Sequence, residues 1–365
     1  MDMTAAVFRK VHEPLTIETV EIDAPRGREV LVRTVATGVC HSDLHVVDGL
    51  GRFPLDRPFV LGHEGAGIVE KTGPDVTTVR PGDHVVACLS GFCGACAQCL
   101  SGHPNLCIGG IVTRAEDAAP RLSQKGAPFR QFLGISSYAE RMLLHENSLV
   151  RIDPDLPLDR AALVGCGVLT GVGAALRSAG LEPGQTVAVF GCGGVGLSII
   201  QGARIGGARQ IIGVDLFPAK LELAKRVGAT QVVNGAEDDP VKAVRALTRG
   251  AGVDHAFEAV GIAKLVRQAI ESLAIRGTCT IVGVLPPEAM IEFPWMAIRP
   301  ECRVQTSRMG SNRFRTDIPL YLDFYRQGRL MLDDLVTRRG RLADINDAFR
   351  AMKAGEVART VLTFD

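Results

Sequence analysis

The chain has 365 residues, with 41 lysines and arginines against 40 acids, a net charge of +1, 46% apolar residues and 22% charged ones. A near-neutral balance without long runs of one sign gives no footing for nucleic acid or an anionic membrane, and the apolar share argues for a folded globular protein. Because one core rarely serves more than about 250–300 residues, two domains are expected.

The opening stretch MDMTAAVFRKVHEPLTIETVEIDAP alternates like a strand pair and has no apolar signal-peptide core. The most apolar stretches, such as TVAVFGCGGVGLSII, are short and broken by glycine, so no membrane span is expected. These features predict a cytoplasmic protein. Ten cysteines in such a chain point to metal binding or catalysis rather than a disulfide scaffold. Five fall within 88–107, and Cys40, Cys166, Cys192, Cys279 and Cys302 stand singly.

Residues 1–150 alternate short apolar runs with Gly, Pro and Asp (EVLVRTVATGVC, GAGIVEKTG, VRPGDHVVAC, SYAERMLL), which predicts an irregular, mostly antiparallel β domain. Within it, GFCGACAQCLSGHPNLC sets Cys93, Cys96, Cys99 and Cys107 as C-x2-C-x2-C-x7-C. Four thiolates in a loop of small residues suit a tetrahedral Zn²⁺; a bacterial ferredoxin run would bring the fourth cysteine closer and follow it with proline. Such a closed site orders its loop and leaves no position for a reactant. Residues 108–134 read as a long loop insertion.

From about 170 to 285, strands (TVAVF, QIIGVD, QVVN, VDHAFEAV, TCTIVGV) alternate with helical segments (AKLELAKRVG, DPVKAVRALTRG, AKLVRQAIESLAIRG), the pattern of a doubly wound parallel sheet. G-x-G-x-x-G appears as Gly191, Gly193 and Gly196, directly after a strand and at the start of a helix, with Gly194 and Val195 between. Asp215 ends the next strand, 19 residues past the last glycine. In that context the glycines serve the tight turn, the approach of a pyrophosphate, and close helix packing, while the acid meets ribose hydroxyls and favours NAD over NADP. The tail predicts two amphipathic helices, IPLYLDFYRQGR and LADINDAFRAMKAGE, and a closing strand, RTVLTF.

Three further elements lie far apart: GVCHSDLH (38–45), GHEGAG (62–67) and GCGVLTG (165–171). Alone, Cys166 would read as a packing residue, like Cys192 or Cys279. Together, Cys40, His63 and Cys166 supply two thiolates and an imidazole and leave a fourth position open, the donor set of a catalytic zinc.

In this order the motifs resemble those of zinc-dependent medium-chain alcohol dehydrogenases, in particular the longer, class III-like members. The resemblance covers essentially the whole chain. It implies an α/β protein: a GroES-like irregular β catalytic domain from 1–167 and 309–365, and a Rossmann NAD-binding domain from 168–308, with the active site in the cleft between them. It implies a catalytic zinc on Cys40, His63 and Cys166, and a structural zinc on the four-cysteine loop. Glu64 matches the acid behind the metal, Asp43 the carboxylate that orients the ligating histidine, Ser42 the hydroxyl that takes the substrate proton, and His45 the relay's exit. His41 and Arg359 match contacts to the cofactor pyrophosphate, and Lys220 one near the adenosine ribose. Zinc brings an oxygen ligand's pKa from about 16 toward about 7, and a free imidazole titrates near about 6.5, which suits such an exit.

The implied reaction interconverts a primary or secondary alcohol and its aldehyde or ketone with NAD. Leu89, Phe132 and Leu133 fall near the family's substrate channel and favour a bulky apolar or aromatic alcohol. A thiol-dependent formaldehyde dehydrogenase using glutathione or mycothiol is the alternative, compatible with His41 and the long insertion. A non-catalytic NAD-binding sensor is a third reading, against which the complete residue set argues. Arg52 and Arg57 could meet a carboxylate, although a solvent-facing role is the stronger expectation. In VQTSRMGSNRFR (304–315), Gly310 stands alone between Arg308 and Arg313 where many relatives have paired glycines. The family also implies a homodimer.

Overall fold

The computed structural model describes residues 1–50, 53–110, 112–115 and 117–364; Arg52 lies outside the described residues. The chain forms two compact units, Met1–Cys166 with Arg313–Asp323 and Val336–Asp365, and Gly167–Asn312 with Phe324–Leu335. Residues 324–335, expected with the catalytic part, belong to the second unit. There Met331 N donates to Gln201 Oε1 at 2.6 Å, and Arg204 Nη2 donates to Arg329 O at 2.6 Å.

The first unit is built on the strand Glu29–Val39, rich in β-branched residues and buried along most of its length. It pairs antiparallel with Glu64–Thr72 on one side, and with Arg141–His145 and Arg359–Thr363 on the other. His84–Ala87 and Leu149–Ile152 extend the sheet beyond Glu64–Thr72, and Val336–Gly340 extends it beyond Arg359–Thr363. A second sheet closes into a barrel in the order Asp2–Phe8, Thr16–Ile22, Leu122–Gln124, Ala127–Gln131, Phe59–Val60.

That barrel corrects the reading of 108–134 as a loop. Its second half is a hairpin, turned by Lys125 (φ 50°) and Gly126 (φ 80°), that supplies two barrel staves. The two positive φ values match a two-residue primed turn, whose twist suits a hairpin. The first half is pinned from inside the fold: Arg114 and Arg121 both bond Glu29, with N–O distances of 2.5–2.8 Å.

The second unit is a six-stranded parallel sheet, ordered Gln231–Asn234, Gln210–Asp215, Thr186–Phe190, Val253–Glu258, Leu273–Ile281, Arg303–Thr306. Thr186–Phe190 is buried throughout, as expected for a central strand covered on both faces. Strand order reverses between it and Val253–Glu258, so the carboxyl ends of these two strands form the position where ligands sit in doubly wound sheets. The sixth strand lies in the region whose geometry the sequence left open. Gly310 follows it, with φ 67° and its Cα face against Leu169 O, Thr170 O and Gly173, where a side chain would not fit.

One helical run, Leu158–Ser178, is long and apolar enough to cross a membrane by length and composition. Its most apolar window is 83% buried inside the protein, which marks it as a core helix.

Candidate active site

The first residue cluster is assembled from three local devices in the first unit. Cys40 leaves the strand Glu29–Val39 in extended backbone (φ −119°, ψ 150°) and caps the short helix His41–Val47. His63 follows Gly62, whose φ of +87° turns the chain between Phe59–Val60 and Glu64–Thr72. Cys166 sits in a π-helical turn, Val164–Val168, a local widening common at functional sites. Beside it, Gly165 lacks the Cβ that would strike Ala87 O, so the turn lies close against the strand His84–Ala87. Donor atoms of Cys40, His63, Glu64 and Cys166 all lie within 4.8 Å of one another, and all four residues are buried.

The donor set and its loose ends fit a zinc ion. Asp43 faces His63 Nδ1 at 3.2–3.3 Å, which leaves His63 Nε2 buried with no hydrogen-bond partner, like Glu64 Oε1. An unsatisfied buried polar atom costs roughly 1–3 kcal/mol, and a cation among these lone pairs would remove that cost. Burial opposes charge on His63, yet Asp43 and Cys40 outweigh it and lift the ring to about 10. Hydrogen bonding to Cys166 pulls the Cys40 thiol well below its ordinary range, and the same bond with burial pushes Cys166 up.

The surrounding residues fall as follows. Arg359 Nη2 pairs with Glu64 Oε2, and Gly38 makes room for the pair, since a Cβ there would meet both side chains. Arg359, expected at the cofactor phosphates, thus joins the metal-site cluster. Ser42 is half-buried with Oγ 3.9 Å from Cys40 Sγ. His45 is half-buried and His41 exposed on the same helix, their rings edge to face at 6.5 Å. Phe132 packs edge-on to His63 at 5.7 Å, and Phe53 lies against Phe132 at 5.4 Å. Leu133 is partly exposed, whereas Leu89 packs on the core with Val79 and Val85.

In the four-cysteine loop, three sulfur pairs stand 3.6–4.0 Å apart: Cys96 with Cys99, Cys96 with Cys107, and Cys93 with Cys99. A tetrahedron of bonds near 2.3 Å has edges of about 3.8 Å, so these sulfurs suit one zinc. Backbone N–H groups of Ala95 and Cys96 donate to Cys93 Sγ, and those of Cys93 and Gly109 to Cys107 Sγ. Backbone bonds from Ile108 and Cys99 hold Cys96 down at about 6.

In the second unit, Gly191 (φ +97°) makes the turn after Thr186–Phe190, and a Cβ on Gly196 would collide with Gly191 O. Gly193 has nothing within 4 Å of its Cβ position, and it is half-exposed along with Gly194 and Val195, where the helix Gly194–Ile205 begins. The glycines thus split between packing (Gly196) and an open edge at a helix N-terminus (Gly193), the arrangement that takes a pyrophosphate. Asp215 Oδ2 accepts from Cys192 N at 2.7 Å, and Oδ1 from Leu216 N and Phe217 N at 2.8 and 3.1 Å. Lys220 Nζ lies 4.6 Å from the centre of the Phe217 ring.

Two residues here escaped the sequence reading. Glu258, fully buried at the carboxyl end of Val253–Glu258, gathers the N–H groups of Val260, Gly261 and Ile262 at 2.7–3.3 Å. Its only signal was an acid at the end of a mostly buried strand. Tyr138, in the first unit, donates to Asp43 Oδ2 at 3.0 Å, and nothing in the sequence set it apart from a core aromatic.

Known proteins resemble the chain along both units. Residues 26–154 match the model for the alcohol dehydrogenase GroES-like domain, and residues 194–324 that for zinc-binding dehydrogenases. The chain is 39% identical to an S-(hydroxymethyl)glutathione dehydrogenase of Saccharomyces cerevisiae, covering 99% of this chain and 96% of that one. It is 38% identical to a class-3 alcohol dehydrogenase of Zea mays, over 98% and 96%. The crystal structure of benzyl alcohol dehydrogenase from Acinetobacter calcoaceticus superposes with a TM-score of 0.92 at 33% identity, covering both chains fully.

Proposed function

Because the chain belongs to the zinc-dependent medium-chain alcohol dehydrogenase family, we propose that it oxidises the S-hydroxymethyl adduct of a small thiol such as glutathione, with NAD as acceptor. The observation that carries the reaction class is the buried Cys40, His63 and Cys166 cluster with its unpartnered His63 Nε2. These three residues would hold the catalytic zinc, with Glu64 as a reserve ligand; Cys93, Cys96, Cys99 and Cys107 would hold the structural one. When bound, zinc supplies Lewis acidity toward the substrate oxygen and NAD takes up hydride.

The chain's own residues do the rest. Asp43 sets the tautomer of His63, and Arg359 balances the charge of Glu64. Ser42, beside Cys40, takes the substrate proton, and His45, three residues along the same helix, passes it to solvent. Gly191, Gly193 and Gly196, with Gly194 and Val195, receive the pyrophosphate, with His41 as a further contact, and Asp215 with Lys220 receives the ribose. Phe132 and Phe53 keep water from the His63 ring.

For a thiol adduct that carries carboxylates, Arg57 is a candidate cation among the described residues. It is half-exposed and only 3.5 Å from Asp56, whose carboxylate is already taken by Arg130 at 2.8 and 2.9 Å. A second reading, an aromatic alcohol without thiol, is favoured by the tilted and edge-to-face cluster of Phe53, Phe132 and His63. NADH formation measured with formaldehyde plus glutathione, formaldehyde alone, and benzyl alcohol separates the two. A strict thiol requirement supports the first; faster thiol-free turnover of benzyl alcohol overturns it. We further propose a cytoplasmic homodimer. In support, Arg303–Thr306 ends its sheet and Val304 on it is 48% exposed. Light scattering in solution tests this.

A further inference from the structure

Behind His63 lies a polar group that the reaction does not use. Tyr138 is fully buried, and its hydroxyl donates to Asp43 Oδ2 at 3.0 Å. Asp43 Oδ1 takes Gly62 N at 2.8 Å, and the same carboxylate faces His63 Nδ1 at 3.2–3.3 Å. One hydroxyl therefore meets the carboxylate that orients a metal-site residue.

The ring is held in place without that hydroxyl. Tyr138 N donates to Leu61 O at 3.0 Å, Ala6 N donates to Tyr138 O at 2.8 Å, and the ring meets Phe349 edge-on at 6.3 Å. Phenylalanine would fill the same volume, so the oxygen serves something other than packing. Removing it leaves Asp43 Oδ2 buried and short of a donor, free to turn away from Nδ1 or to pull the imidazole with it.

We propose that Tyr138 is a positioning residue for the zinc that Cys40, His63 and Cys166 would hold, its hydroxyl fixing the Asp43 carboxylate and through it the aim of His63. The inference rests on reading those three residues as a metal site.

The test uses the zinc-loaded protein as parent, Tyr138→Phe and Phe349→Leu. Each is dialysed against graded chelator with zinc counted per chain, then reloaded with Co²⁺ for its visible spectrum. Tyr138→Phe should release one of two zincs at chelator concentrations on the order of tenfold lower than the parent, with a shifted Co²⁺ spectrum. Phe349→Leu, which disturbs only packing, should melt earlier yet keep the parent's chelator midpoint. If Tyr138→Phe does not fold, replacing the three tyrosines by 3-fluorotyrosine, a stronger donor of nearly the same shape, should move the midpoint the other way. Matching midpoints and superposable Co²⁺ spectra for Tyr138→Phe and parent, or an unmoved midpoint with fluorotyrosine, overturn the proposal. A parent that binds a single zinc sinks the metal-site reading itself.

Discussion

Replacing Glu146 by glutamine tests how the first unit is fastened. The side chain is 0% exposed and collects Arg28 Nε at 2.6 Å, Thr77 N at 3.0 Å, Thr78 N at 2.9 Å and Thr78 Oγ1 at 2.7 Å. Its carbonyl takes Arg315 Nη2 at 2.7 Å, so one residue joins four segments of the chain. Burial alone would raise the carboxyl's pKa; the bonds from Thr78, Arg28 and the backbone overcome it and hold the group at about 2, against an ordinary 4.5. At roughly 1.4 kcal/mol per unit, the ionised form contributes up to about 3 kcal/mol. The contribution is complete above pH 4.5, where folded and unfolded chains both carry the charge. Between about 4.5 and about 2 the unfolded chain binds the proton first, so the contribution shrinks as pH falls. Glutamine presents an NH₂ to donors and should cost about 2–3 kcal/mol at pH 7. Urea unfolding of variant and parent side by side, at pH 7 and at about pH 3, should show a wide gap and then a narrow one. A gap of equal size at both pH values would refute the reasoning.

Three other outcomes follow from the geometry. Cys166→Ala should leave one zinc per chain by elemental analysis and abolish NAD-linked oxidation, while circular dichroism stays that of a folded protein. Cys99→Ser should release the other zinc and lower the thermal midpoint, at roughly 2–4 °C per kcal/mol lost, with turnover per remaining zinc retained at low temperature. Gly196→Ala, whose Cβ would meet Gly191 O, should destabilise the second unit by about 1–3 kcal/mol. Gly193→Ala, with open space around it, should melt like the parent yet weaken NADH binding in a fluorescence titration; equal melting losses for the two glycine variants would contradict this division.

Much of this was legible because metal ligation and phosphate binding demand residue types at set intervals. The four cysteines, the glycine turn with Asp215, and the trio Cys40, His63 and Cys166 are chemical signatures that survive without structure. The Leu122–Gln131 hairpin was not visible: its strands are three and five residues long, and Pro128 argued against one of them. The strand Arg303–Thr306 is partly or fully exposed along its length, so it lacks the apolar run that reveals a buried parallel strand. Tyr138 and Glu258 were invisible for another reason. Tyr138 acts through the distant group its hydroxyl meets, and Glu258 through the turn just after it, which brings three N–H groups to one oxygen. Nothing in the sequence of the 108–134 segment pairs Arg114 and Arg121 with Glu29, some 85–92 residues earlier.

The widened helical turn at Val164–Val168 gives the chain a kind of reading frame in three dimensions. A helical turn advances on the order of 100° per residue, somewhat less where it is widened, so deleting one residue upstream of Cys166 in that turn would swing the thiol by roughly a quarter turn, away from Cys40 and His63, without altering any ligand's identity. Substitutions in this stretch should be tolerated far better than changes in its length.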